Sequence, residues 1–299
     1  MIKRKEIVPF IFDKLLSAHT REKTEKIILN IAILSFFIHL AIIYLIKFGF
    51  IDLPINSELL KNPISAAYTP FSFILIYEVY LLIYYLPQSF TTYITKQYEI
   101  ITLIIIRKLF NDLSYLELSS DWFEIKGDLQ FTYDLIASLL LYYLIFLFLK
   151  QGKRTDVKQE NINPIIHRFI NTKKLIAIIL VPLFLLMALY TLINWATSVS
   201  LYNNEAISFE SINNLFFEDF FGLLILVDVV LLLISFFYTN QFHKIMRNSG
   251  FIISTILIRI SFGVSGLIST VLIVVAVLFG LSIIYIHNKY ERDILTTDA

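Results

Sequence analysis

From Leu175 to Ala196 the chain runs for 22 residues without a charged side chain, and Ile27–Ile46 does the same apart from His39. A helix rises 1.5 Å per residue, so about 20 apolar residues cross the roughly 30 Å hydrocarbon layer of a bilayer. Inside that layer each backbone amide must find its partner within the segment, which leaves a helix as the form for such runs. Ala67–Leu86 and Phe217–Tyr238 have the same reach, and Leu129–Leu149 has only Asp134 against it. Phe251–Ile286 is 36 residues long, too long for one span and enough for two short ones, with Gly263-Val264-Ser265-Gly266 as the expected turn. With Tyr93–Leu113 added, the expectation is an all-α integral membrane protein of about eight transmembrane helices.

Composition supports that class and excludes others. Hydrophobic residues make up 57% of the 299 and charged residues 16%, where a soluble domain carries about 25% charged. A net charge of +1 leaves no basic face for phosphates, so no nucleic-acid partner is expected. Cysteine is absent, which rules out disulfides, thiolate metal sites and a cysteine nucleophile. The first 26 residues hold seven Lys or Arg and four acids, too polar for a signal-peptide core, so the first apolar run is expected to stay as a helix. The Ile-, Lys-, Asn- and Tyr-rich vocabulary points to a bacterial inner membrane. Lys and Arg gather in the amino-terminal segment, in Lys150–Lys174 and in the tail from His287, whereas Asp52–Lys61, Glu117–Asp128 and Glu205–Asp219 are acidic or mixed. By the positive-inside rule both termini are then cytoplasmic.

A repeat organises the runs. Ile100–Arg107 reads IITLIIIR and Ile252–Arg259 reads IISTILIR, 152 positions later. Upstream of each copy one acid interrupts an apolar run: Glu78, and Asp228 at 150 positions further. Each half also opens with proline and apolar residues at three-to-four spacing, Pro9 before Leu15 and Leu16, Pro164 before Phe169 and Ile170. That pattern reads as an amphipathic helix lying in the membrane interface. The expected organisation is two tandem repeats, residues 1–150 and 162–299, joined by a cytoplasmic linker at 151–161. Each is an interfacial helix plus four spans, and an even number of spans makes the repeats parallel. A six-span alternative lays the segments of Arg107 and Arg259 in the interface.

Ionisable groups in hydrocarbon cost about 2.5–3.5 kcal/mol each on insertion scales and mark sites or partners. Counting rise along each span puts Glu78 near the depth of Arg107 and Asp228 near that of Arg259, so two acid–arginine pairs are expected. Such pairs either pin neighbouring helices together or line a polar pathway. His39, Glu99 and Asp134 are secondary candidates: His39 as a hydrogen-bonded packing residue, Glu99 as a solvated or capping acid, Asp134 as a surface-seeking or vestibule acid. Ser265, Ser269, Ala276 and Gly280 form a small-residue stripe suited to close helix contact. Pro87 and Pro182 are expected to kink or end their helices.

Glu78 followed by Glu99 resembles the acidic pattern of voltage-sensor modules in the ion-transport superfamily. Those modules carry spaced arginines on a fourth helix, and Leu129–Leu149 has none, so voltage sensing is not implied. No catalytic motif, phosphate loop or metal-spaced cluster of His, Asp and Glu stands out, so no enzyme activity, cofactor or metal is expected. The functional expectation is a transporter or channel for an ion or small solute, centred on Glu78, Arg107, Asp228 and Arg259. The alternative is a non-catalytic scaffold, sensor or subunit of an envelope complex, with a homo-oligomer or complex as its setting.

Overall fold

The computed structural model describes residues 7–50, 63–113, 126–152, 164–201, 209–239, 241–264 and 266–293, and those residues contain helices and no strand. In chain order the helices are α1 (Ile7–Leu15), α2 (Ala18–Lys47), α3 (Tyr68–Tyr85), α4 (Phe90–Leu113), α5 (Lys126–Gly152), α6 (Pro164–Leu201), α7 (Phe209–Tyr238), α8 (Phe242–Phe262) and α9 (Leu267–Asp293). A short 3-10 turn, Pro63–Ala67, leads into α3.

The breaks fall where chain chemistry requires them. Ser17 lies just after α1 and caps α2 by accepting from the Thr20 amide at 3.1 Å, which satisfies one of the orphan donors of a helix start. Pro87 has no amide hydrogen to offer, and α3 ends just before it. Gly266 takes φ +77° between α8 and α9, a left-handed geometry that glycine adopts without steric cost. Pro182, by contrast, lies inside α6, which continues to Leu201. The expected second interfacial helix is not a separate element either. Pro164 starts a helix that runs unbroken into the apolar stretch, because Asn171-Thr172-Lys173-Lys174 contains no proline or glycine to interrupt it.

Successive helices run in alternate directions. At one end Arg21 reaches Tyr85 at 3.4 Å, Lys173 reaches the Gln88 carbonyl at 2.8 Å, and Asn288 reaches that of Gln151 at 2.9 Å. At the other end Lys108 meets Asp134 at 2.8 Å, Phe71 stacks on Phe110, and Phe221 stacks on Phe262. Helices α2 to α5 pack on one another in sequence order, as do α6 to α9, and α5 lies along α9.

Six stretches are long and apolar enough to cross a membrane: Val8–Lys47, Asp128–Gly152, Arg168–Met187, Phe220–Tyr238, Phe242–Phe262 and Leu267–Asp293. Apolar Thr69–Tyr85 is shorter, and α4 is not among the six. Large apolar side chains are exposed all along these helices, including Leu34, Phe37, Leu139, Tyr142, Leu186, Leu226 and Ile286. Apolar surface that continuous belongs against lipid, so the chain is an integral membrane protein.

Helices approach closely where α4, α8 and α9 meet. Tyr98 on α4 is fully buried and sits edge-on to Phe148 at 5.1 Å. Ser254 spends its one proton on the Ala276 carbonyl at 2.6 Å, so the 2.7 Å contact between Tyr98 and Ser254 has the tyrosine as donor. Gly280 makes room for the ring: a Cβ there would stand 1.9 Å from the Tyr98 hydroxyl. Gly250 does the same for Ile283, whose side-chain carbons lie within 3.0 Å of where a Cβ would be. Helices in lipid have no hydrophobic drive to associate, so close packing of this kind is what holds them together.

Candidate functional site

Asp228 lies in the middle of α7, 2% exposed, in a run whose neighbours are aliphatic. Its Oδ2 accepts from Gln97 Nε2 on α4 at 3.0 Å. The Tyr93 hydroxyl, one turn before Gln97, lies beside the carboxylate but outside hydrogen-bond geometry, so it is a neighbour and not a partner. Lys173 on α6 acts on Asp228 through space. Its ammonium is tied elsewhere: it donates to the Gln88 carbonyl and lies 4.3 Å and 5.0 Å from the ring centres of Phe90 and Phe169. Those rings face the cation with their negative π surfaces, which offsets part of its desolvation. The unbroken α6 carries Lys173 into this position at 2% exposure. A break there would leave it in the interface.

The described contacts of Asp228 do not include Arg259, with which a pair was expected. Arg259 lies half-buried near the far end of α8, seventeen residues after Phe242, and is not among the groups that act on Asp228. At 1.5 Å per residue that is roughly 26 Å from the helix start, against roughly 15 Å for Asp228 from the end of α7. The end of α7 and the start of α8 set these heights, and α8 begins earlier than the apolar run alone implied.

Glu78 and Arg107 are closer to expectation without making contact. Both are buried, at 5% and 7% exposure, and the arginine charge acts on Glu78 through space. No hydrogen bond reaches Glu78 among the described residues. Here too the helix begins early, at Phe90, seventeen residues before Arg107.

The secondary candidates lie apart from these. His39 Nδ1 meets the Thr69 hydroxyl, joining α2 to α3. Glu99 is part-exposed and pairs with Lys96 at 2.6 Å along the same helix. Asp134 is a hub at the opposite end of the bundle from Lys173: it accepts from Lys108 at 2.8 Å, from Gln130 at 2.9 Å and from Thr270 at 2.5 Å, tying α4, α5 and α9 together.

Six residues escaped the reading of the sequence. Gln97, Tyr93 and Lys173 around Asp228 carry no local signal, since a glutamine, a tyrosine and a flanking lysine are ordinary in such helices. The other three had a signal. His287 and Glu291 stand one helical turn apart on α9, and α8 brings His243 to them, so a cluster of two histidines and a carboxylate exists where no metal-spaced group was expected. No protein-family model, curated protein or solved structure matches the chain.

Proposed function

We propose that the protein moves a proton or another small ion across a bacterial inner membrane, with Asp228 as the exchanging group. The observation that carries this reading is how Asp228 is held. A carboxylate gripped bidentately by arginine is kept ionised and immobile. Asp228 has one neutral donor, Gln97, and a cation that is tethered to a different acceptor. It can take up and release a positive charge with small movements of Gln97 and Lys173. The donor and the acid also come from different halves of the chain, α4 and α7, which is where a duplicated carrier places its binding site.

The finer architecture belongs to the same proposal: eight spans, two parallel repeats and cytoplasmic termini. It is supported by the alternating helix directions and by the matching order of packing within α2–α5 and α6–α9. Basic groups also collect at one end, with Arg21, Lys96, Lys173, Lys174 and Arg247 all near it.

Reconstitution into liposomes tests the reading, with an internal pH dye and an imposed potassium diffusion potential. Wild-type protein is expected to carry protons or a monovalent ion, and Asp228→Asn, which keeps an acceptor for Gln97, is expected to fold and carry none. Absence of flux for H⁺, Na⁺, K⁺ and Cl⁻ from folded protein would remove the reading.

A second reading, a non-catalytic membrane subunit, is favoured by the close contact of Tyr98 against Gly280 and Ser254. Under it, Asp228→Asn leaves the cellular phenotype intact.

A further inference from the structure

We infer that His243, His287 and Glu291 form a binding site for a divalent transition-metal ion of zinc-like preference. Glu291 Oε1 stands 3.6 Å from His243 Nε2 and 3.4 Å from His287 Nε2, and the three ligand atoms lie within 4.8 Å of one another. Metal–ligand bonds of 2.0–2.2 Å at tetrahedral angles put neighbouring ligand atoms about 3.3–3.5 Å apart. The cluster is thus already near the spacing a bound ion would set. Two nitrogens and one carboxylate oxygen form a donor set of intermediate softness. That set suits Zn²⁺ and its neighbours in the first transition row and disfavours Mg²⁺ or Ca²⁺.

The rings are held in advance. His243 is stacked on His287, at 5.3 Å and 22°, and on Tyr290, at 5.2 Å and 20°. Both histidines are buried, and His243 Nε2 has no hydrogen-bond partner. A buried imidazole nitrogen without a partner costs stability unless something else satisfies it. Glu291 keeps about a third of its side chain exposed, which leaves a way in.

The present neighbour of His287 Nε2 is itself a cation. Arg247 Nη1 donates to that nitrogen at 3.1 Å, so Nε2 presents its lone pair and the ring proton belongs on Nδ1. This is the tautomer that Nε2 ligation needs. Arg247 Nε and Nη2 both donate to Asn248 Oδ1 at 3.2 Å, so a metal ion that displaces Nη1 leaves the arginine anchored. The guanidinium and the metal compete for one lone pair. The site joins the start of α8 to the end of α9 and shares no residue with the Asp228 centre, so it does not depend on the transport reading.

Co²⁺ binding to the full-length protein in detergent tests the site, read by visible d–d absorption and by metal content after gel filtration. The expected result is one Co²⁺ per chain, displaced by Zn²⁺. His243→Ala and His287→Ala should each lower affinity by more than about 100-fold, beyond what loss of an outer-shell partner causes. Glu291→Gln, at a part-exposed position, keeps the test sound if a histidine variant fails to fold, and is expected to lose at least about tenfold. Arg247→Gln should tighten binding by removing the competitor, whereas His19→Ala should change nothing. No retained Co²⁺ in either wild type or Arg247→Gln would overturn the site, as would binding that survives Glu291→Gln together with either histidine change.

Discussion

Glu78 and Asp228 hold matching places in the two halves of the sequence, each a lone acid in an apolar run, yet their surroundings differ. Asp228 accepts a hydrogen bond across helices from Gln97 and has Lys173 beyond it. Glu78 is buried, and among the described residues the field of Arg107 acts on it without a hydrogen bond. The residues that answer Asp228 have no counterparts around Glu78, because they come from α4 and α6 and meet α7 where the two halves touch. The same sequence pattern, a lone acid in an apolar run, therefore meets different surroundings in the two places. What the acid does is decided by which helix faces it.

The difference can be broken by experiment. The largest effect is expected from Asp228→Ala, which strips the acceptor from Gln97 and leaves the buried Lys173 without its nearest opposite charge. A cost of about 3–5 kcal/mol is expected, read by unfolding titration in mixed micelles. Glu78→Ala in the same assay should cost clearly less, and equal losses would erase the distinction.

Next in size is the coupling between Gln97 and Asp228. A double-mutant cycle with Gln97→Ala and Asp228→Ala should return about 1.5–3 kcal/mol, the range for a hydrogen bond to a charged group. Additive behaviour would mean that the contact contributes nothing. A cycle on Glu78 and Arg107 should give less than about 1 kcal/mol, since the groups interact without contact. The smallest value belongs to Asp228 and Arg259, which should add within about 0.3–0.5 kcal/mol as distant sites do. Strong coupling there would support the pairing expected from the sequence.

These cases show what a sequence of this kind makes legible. Helix ends were readable at Pro87 and at the Gly263–Gly266 turn because proline and glycine act locally. Apolar runs identified six helices long enough to cross a membrane, since length and hydropathy are properties of one segment. The partner of Asp228 was not readable. Rise per residue converts position into height only if the helix start is known, and α4 and α8 start earlier than their apolar runs. Height also says nothing about which way a side chain faces, and rotation about the axis is set by tertiary packing. The cluster at His287 and Glu291 was half legible from its one-turn spacing. His243 lies 44 positions earlier in the chain, and only the α8–α9 hairpin brings it close.

The Tyr98 hydroxyl seated over Gly280 has a mechanical consequence. It works as a key in a slot: sliding α4 along α9 by one residue would drive the ring into the α9 backbone, and the Ser254 contact would be lost with it. Any working motion of this bundle must then leave that joint assembled and pivot around it. Lys173 on α6, by contrast, is held to the α3–α4 turn by one hydrogen bond, which movement could break and remake without such a clash. A crosslink between positions 98 and 280 should be tolerated by a working protein, whereas one that fixes position 173 to position 88 should arrest it.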